Sequence, residues 1–181
     1  GVTTFDAVVA SQAKMQALTA IVLSLILIVA YVWVRFGGIR YGIGAILSLV
    51  HDAVVALAAT VLSGLAYKYI FGSKPNWMLI SDFKINLTMI AAYLTVIGYS
   101  VNDTIVIFDR VRELRGRSQS ALTPKLVNDA INQCFGRTIW TTCTVFIVVL
   151  IMYIWGGEGI RGFAFAMLIG VITGAYSTLA I

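Results

Sequence analysis

Charged side chains are scarce in this chain. Asp, Glu, Lys and Arg make up 12% of its 181 residues, whereas a soluble domain carries about 25%. Hydrophobic residues account for 60% of the sequence and the mean hydropathy is +0.93. This composition excludes an ordinary water-soluble domain and indicates an integral membrane protein.

Cysteine and histidine are nearly absent, with two cysteines and one histidine. No extracellular framework of further cysteines surrounds Cys134 and Cys143, so we interpret them as small apolar side chains, not as a disulfide or metal pair. The lone His51 cannot build a metal site unaided. The sequence also contains no His-Glu-x-x-His, Gly-x-Ser-x-Gly or phosphate-loop motif. We therefore expect no enzyme and no metal cofactor.

Acidic residues are outnumbered, which leaves a net charge of +5. Such an excess can serve nucleic-acid binding, but in a membrane protein basic loops orient the helices in the bilayer. We favour the second interpretation, with the lipid bilayer and no nucleic acid as the partner.

Long apolar segments are abundant, and a helix needs about 20 such residues to cross the hydrocarbon. The sequence predicts an all-α polytopic membrane helix bundle, residues 17–181, after a polar and weakly structured stub, 1–16. The chain also stops within an apolar run at Ile181, so we expect a piece of a longer protein. The five predicted spans are 17–34, 43–67, 85–108, 138–155 and 162–181.

The basic residues between these spans predict the orientation of the bundle. One side holds eight and the other five, and the more basic side is expected in the cytoplasm. This rule places the loop 109–137 inside and the N-terminus outside. The eight are Arg35, Arg40, Arg110, Arg112, Arg115, Arg117, Lys125 and Arg137, and the five are Lys14, Lys68, Lys74, Lys84 and Arg161.

The cytoplasmic loop contains a helix start at Thr123-Pro124, a hydroxyl N-cap followed by proline. Apolar residues then recur at helical spacing up to Phe135. We expect a short amphipathic helix on the inner membrane surface, with a polar connector as the alternative.

Small residues recur every fourth position in two spans, a pattern that lets helix backbones approach in membranes. The stripe of the second span includes Asp52, which should therefore point into protein, whereas His51 should face elsewhere as a structural residue. The stripes are Gly44, Ser48, Asp52, Ala56, Thr60 and Gly64, and Gly162, Ala166, Gly170, Gly174 and Thr178.

The third span has a polar edge, and the residues placed there are Thr88, Thr95, Tyr99 and Asp103, with Asn102 at its border. Arg137 opens the next span on the same side of the membrane, so we expect it to pair with Asp103. A charge at bilayer depth costs at least about 2.5–3.5 kcal/mol, whereas polar contacts in membranes average about 0.6 kcal/mol. We therefore favour a functional role over helix–helix adhesion, which stays the alternative.

Four stretches together resemble the SecF family, whose members work with SecD beside the bacterial Sec protein-export channel. They are GYSVNDTIVIFDRVRE, VHDAVVAL, INQCFGRTIWT and GGEGIRGFAFAMLIGVITGAYS. The resemblance implies the second to sixth helices of a six-helix half in the bacterial inner membrane, after a first helix and an outer domain. It also implies a SecD-like half, separate or fused, the SecYEG channel, a YajC-type accessory subunit and a translocating preprotein as partners.

The resemblance further implies that Asp103 and Arg137 carry protons, and we add Asn102 and Asp52 to this relay. Thr95, Tyr99 and His51 would be supporting polar residues. We expect no cofactor other than the proton gradient, with sodium as a possible coupling ion. The alternatives are a small-molecule efflux transporter of the same resistance–nodulation–division superfamily and a scaffold that conducts no ions.

Overall fold

The computed structural model describes residues 2–36, 39–70, 80, 83, 86–118 and 122–180, and this part of the chain contains helices and no strand. Each helix is long and apolar enough to cross a membrane. The predicted all-α bundle with five spans is therefore confirmed. The helices are α1 (Val2–Phe36), α2 (Ile39–Tyr69), α3 (Leu87–Ser118), α4 (Pro124–Trp155) and α5 (Glu158–Ala180).

The first helix begins at Val2, so the prediction of a weakly structured stub over 1–16 is wrong from the second residue onward. Residues 2–36 contain neither proline nor glycine, and nothing in the sequence interrupts helical hydrogen bonding between the polar start and the apolar span. The span of α1 is the C-terminal half of a longer helix.

The segment 109–137 is also more helical than a loop. Helix α3 continues to Ser118, and α4 begins at Pro124 and runs without a break to Trp155. The predicted amphipathic helix starts where expected, because the Thr123 side chain accepts a hydrogen bond from the Leu126 backbone N–H at 3.3 Å. It is the first part of α4, not a separate helix. Gly136 is the weakest helix former near the expected break, and a single glycine does not end a helix.

Helix α5 packs against α2, α3 and α4, whereas α1 contacts only α2 and α3 within the described chain. Small residues make this arrangement possible. A Cβ added to Gly170 would overlap the side chain of Val96 in α3, and one added to Gly162 would lie 3.0 Å from the Met89 sulfur. The glycines of α5 therefore let α3 approach its backbone directly.

Both predicted stripes face the interior. Asp52 and Ala56 of α2 and Ala166 of α5 are fully buried, and Gly170 and Gly174 are buried as well. The prediction that these edges pack against protein is confirmed. Cys134 also packs in a buried cluster, with Leu126, Ala130, Ile107 and Val111, whereas Cys143 is exposed.

The predicted outer loop between Lys68 and Lys84 lies largely outside the described residues. After it, Asn86 begins α3 by accepting a hydrogen bond from the Met89 backbone N–H at 2.9 Å. The third span thus starts two residues later than predicted, at Leu87.

Candidate functional site: two buried carboxylates in the helix bundle

Asp103 lies in the middle of α3 and is only 4% exposed. Its buried neighbours on the helix are Ser100, Thr104 and Ile107, which places the carboxylate on the face that packs against the bundle. The Oδ2 atom of Asp103 has no hydrogen-bond partner among the described residues. A buried oxygen without a partner is costly, so this group is suited to bind a proton or to meet a partner that moves towards it.

Arg137 is exposed and forms no ion pair with Asp103 within the described chain. The two residues nevertheless lie in one region, because Arg137 lines a cavity together with Ile105 and Val106, which closely follow Asp103 on α3. This cavity measures about 730 Å³ and opens between the ends of α1, α3 and α4. The structure thus brings the two residues to the same region without bonding them, and the role of the pair stays a prediction.

Arginines and acids form a network around this cavity, which we call the basic end of the bundle. Arg35 binds Asp109 at 2.9 Å, and Arg112 donates to the backbone carbonyl of Arg35 at 2.9 Å. Arg110 donates to Gln133 and Glu113. Arg35 at the end of α1, Arg110 and Arg112 of α3 and Gln133 of α4 therefore lie at the same end of the bundle.

The supporting residues expected around Asp103 do not surround it. Thr95 is exposed and donates to the Ala91 carbonyl at 2.8 Å, and Asn102 is exposed. Tyr99 is half-buried and its hydroxyl donates to Thr142 of α4 at 3.1 Å. Consecutive helical residues diverge by about 100°. The edge predicted as one polar face is therefore divided, with Asp103 inside and Asn102 outside.

The second carboxylate, Asp52 of α2, is fully buried and joins three helices. Its Oδ2 atom accepts hydrogen bonds from Ser100 of α3 at 2.5 Å and from Ser177 of α5 at 2.8 Å. Ser48 of α2 donates to Ser177 at 3.1 Å. Unlike Asp103, Asp52 has its hydrogen-bond partners supplied by the bundle itself.

His51 differs from its prediction. Its side chain is 38% exposed, yet its Nδ1 atom lies 3.1 Å from Oδ1 of Asp52. The two Cβ atoms diverge on the helix, but the imidazole is long enough to turn back to the carboxylate. His51 therefore does not face away from Asp52, as predicted, but connects the buried acid to the surface of α2.

Ser100 and Ser177 were not predicted from the sequence. A single serine in an apolar helix carries little signal, because its hydroxyl can bond to its own helix backbone. Ser177 directly precedes Thr178, the last member of the α5 stripe. This position is the one feature of the sequence that suggests a place for Ser177 near the interior of the bundle. Which serine meets which acid depends on how the helices pack.

One face of α3 is exposed although it is small and polar, and we call it the polar face of α3. Its residues are spaced alternately by three and four positions, as in a helix–helix contact. They are Thr88, Ala91, Thr95, Gly98 and Asn102. The exposed residues of α2 are instead large and apolar, as expected against lipid, for example Val54, Leu57, Val61 and Leu62.

The chain was compared with known proteins. A family model described as protein export membrane protein SecD/SecF, C-terminal, matches residues 2–181. The protein translocase subunit SecF of Petrotoga mobilis is 39% identical over 172 residues, which cover 95% of this chain and 51% of that protein. The protein translocase subunit SecDF of Brucella abortus is 39% identical over 173 residues, covering 96% of this chain and 20% of that protein.

A solved structure agrees with these sequences. The crystal structure of SecDF from Thermus thermophilus, a translocon-associated membrane protein, matches with a TM-score of 0.74 and 32% identity, over 92% of this chain and 20% of that chain. The chain thus spans about half the length of the Petrotoga SecF subunit and a smaller part of the SecDF proteins. It is a multi-pass membrane protein that belongs to the SecD/SecF family of protein-export membrane proteins and corresponds to their C-terminal region.

Proposed function

We propose that this chain is the SecF-type membrane half of a bacterial protein-export machine and couples the proton-motive force to protein translocation across the inner membrane. Support comes from its family and from the names of its relatives, which are protein translocase subunits. The proposed role is transport and not catalysis of a covalent reaction, with no cofactor beyond the ion gradient.

The observation that carries this proposal is the burial of Asp103. Placing a charged side chain at bilayer depth costs at least about 2.5–3.5 kcal/mol of free energy, so such a side chain is usually retained because it has a function. The carboxylate is buried with one oxygen that has no partner among the described residues, while Arg137 lines an open cavity nearby. Proton binding would neutralise Asp103, and proton release would attract the guanidinium, so each step would favour a different arrangement of α3 and α4.

The polar face of α3 supports a SecD-like membrane half as partner. Asn102 and Thr95 are exposed within a span, where lipid cannot bond to an amide. Gly98 between them leaves room for the backbone of another helix. We propose that the SecD-like half covers this face, and that SecYEG, a YajC-type subunit and the preprotein bind to the assembled pair.

The orientation follows the positive-inside rule. We place the basic end, with Arg35, Arg110 and Arg112, in the cytoplasm and the start of α1 on the outer side. The proton then enters from the opposite side of the bundle and leaves at the cavity beside Arg137. Comparing export driven by proton and by sodium gradients identifies the coupling ion.

The decisive variant is Asp103→Asn in the complete complex, reconstituted with its partner half and the channel. We expect normal assembly, because the amide has nearly the same shape, and loss of proton-driven export stimulation to the level without the complex. The control is Asp129→Asn on α4, which neutralises an exposed acid that is not among the residues lining the cavity beside Arg137. An exposed surface charge contributes little, so this control should export normally.

Different results select between the candidate functions. A scaffold that conducts no ions would tolerate Asp103→Asn with full export, and that result would end the coupling proposal. An efflux transporter would show drug sensitivity on deletion while export stays intact.

A further inference from the structure

The hydrogen bonds of Asp52 lead to a small cavity that the mechanism above does not use. The cavity measures about 30 Å³ and lies between α2, α3 and α5. Its lining combines Gly44 and the apolar side chains of Ile107 and Phe108 with four hydroxyl-bearing side chains, which are Ser48, Thr104, Ser177 and Thr178. Two of them, Ser177 and Ser48, belong to the hydrogen-bonded chain that starts at Asp52.

The hydrogens of these four hydroxyls already have acceptors. Ser48 donates to Ser177, whose shortest contact as a donor is to Asp52. Thr104 donates to the Ser100 carbonyl at 3.1 Å, and Thr178 donates to the Gly174 carbonyl at 2.7 Å. Since each hydroxyl has one hydrogen and two lone pairs, the cavity offers only acceptors. An occupant held by these oxygens therefore donates hydrogens, as water does, or is a cation.

The size of the cavity limits the occupant. One water needs about 10–15 Å³ of such space and two to four polar partners, and this cavity provides both. Gly44 and Ser48 precede Asp52 on α2 by eight and four residues, so the cavity lies about 6–12 Å from the acid along the helix. It is displaced towards the end where α2 begins, which adjoins the basic end.

We propose that an internal water bound in this cavity extends the hydrogen-bond chain of Asp52 towards the basic end, forming a second proton path that does not pass through the Asp103 carboxyl. A proton held on Asp52 would pass to Ser177, which passes its own to Ser48, which passes its own to the cavity water, with both hydroxyls turned to donate towards the cavity. Each hydroxyl forms one O–H bond and breaks one, and the products are a hydrated proton and the Asp52 carboxylate. Use of the path rests on the function proposed above, whereas the water site does not.

Within the described residues, the groups that contact this carboxyl are His51 on its own helix, Ser100 on α3, and Ser177 and Gly174 on α5. No arginine or lysine bonds to Asp52 in this part of the chain. The hydrogen-bonded path from Asp52 is therefore not joined to the basic network by an ion pair.

The matched test is Gly44→Ala against Gly42→Ala, two identical changes on one helix. A Cβ at Gly44 would enter the cavity and lie 3.6 Å from Phe108 Cζ, an ordinary contact, whereas a Cβ at Gly42 meets nothing within 4 Å. The first readout is a high-resolution structure of the complete complex. We expect density for one water in contact with Ser48 and Thr104, present in the wild type and in Gly42→Ala and absent in Gly44→Ala.

The second readout is proton-driven export by the same complexes. We expect a several-fold decrease for Gly44→Ala and wild-type export for Gly42→Ala, with similar thermal stability. Lack of water density in the wild type would overturn the site, as would density that persists only in sodium-containing buffer. Water density with unimpaired export by Gly44→Ala would overturn the path. If export by the wild-type complex does not depend on the proton gradient, the proposed function fails. The water density alone then decides whether the cavity binds water.

Discussion

At the residue scale, the two buried aspartates differ in how their oxygens are satisfied. Asp52 accepts hydrogen bonds from Ser100 and Ser177 and lies 3.1 Å from Nδ1 of His51, whereas Asp103 has an oxygen without a partner among the described residues. A satisfied buried group stabilises one arrangement of its helices, and an unsatisfied one favours a change of protonation or of partner. Because of this contrast, we propose that a change of protonation at Asp103 switches the arrangement of the helices. Asp52 instead belongs to a row of hydrogen bonds that the bundle holds in place.

The close contact between α3 and α5 also depends on single residues. A Cβ at Gly170 would overlap the branched side chain of Val96, which cannot turn away because its branch point is at Cβ itself. We expect Gly170→Ala to destabilise the protein by about 1–3 kcal/mol, the usual range for overpacking. Thermal unfolding in detergent measures the effect.

The control for this variant is Gly159→Ala on the same helix, where an added Cβ meets nothing within 4 Å. Combining Gly170→Ala with Val96→Ala should restore part of the lost stability, since the second change removes the methyl groups that clash. Equal stability of Gly170→Ala and Gly159→Ala would contradict the close approach of the two helices.

At the element scale, the continuity of α4 is the main departure from the sequence-based expectation. The helix passes through Gly136 from an amphipathic start into an apolar span. A continuous helix holds Gln133 and Arg137 one turn apart, so both reach the same cavity beside Arg110. A flexible break at Gly136 would not fix this relation.

Two substitutions at Gly136 test the continuity. In a continuous helix, Gly136→Ala should stabilise the protein by about 0.5–1 kcal/mol because alanine loses less backbone entropy. An added Cβ there meets nothing within 4 Å. Gly136→Pro should cost about 3 kcal/mol or more, since it removes a helical hydrogen bond. Chemical unfolding of both variants gives the two values.

The opposite pattern would mean a loop at this position. A loop would tolerate proline and gain nothing from alanine. Circular dichroism of the proline variant adds an independent readout, because a broken α4 loses helix content.

At the scale of the whole molecule, the bundle is complete on one side and open on the other. The exposed side of α2 is apolar, as lipid requires, but the polar face of α3 carries Thr95, Gly98 and Asn102 at membrane depth. A surface of small and polar residues packs more favourably against another helix than against lipid. The open side is therefore where we place the SecD-like half.

A bulky residue at Gly98 should disturb that assembly. We expect Gly98→Leu to reduce co-purification of the partner half, because leucine would hold the helices apart where glycine allows contact. The matched control is Ala58→Leu on the exposed apolar side of α2, which should assemble normally. The bundle itself should keep its stability in both variants, since neither site is buried.

Association that is equally strong in both variants would place the partner elsewhere. Cross-linking through Thr95→Cys then offers a direct map, because a cysteine on the polar face of α3 captures only a helix that lies against it.

The sequence by itself determined the number of spans, their approximate bounds and the inward direction of the small-residue stripes. These features depend on the polarity and size of consecutive residues in one helix, and the bilayer imposes the same length on every span. The motif around Asp103 also identified the family, since Asn-Asp-Thr followed by Phe-Asp-Arg can be read without coordinates.

Only the tertiary structure decided which side chains meet. It divided the expected polar edge of α3 between Asp103 and Asn102, placed Asp103 and Arg137 in one region without an ion pair, and joined Asp52 to Ser100 and Ser177. These outcomes depend on the rotation and depth of each helix against its neighbours. Both are set by the packing of residues far apart in sequence, such as Gly170 against Val96, and a pattern within one helix contains no information about them.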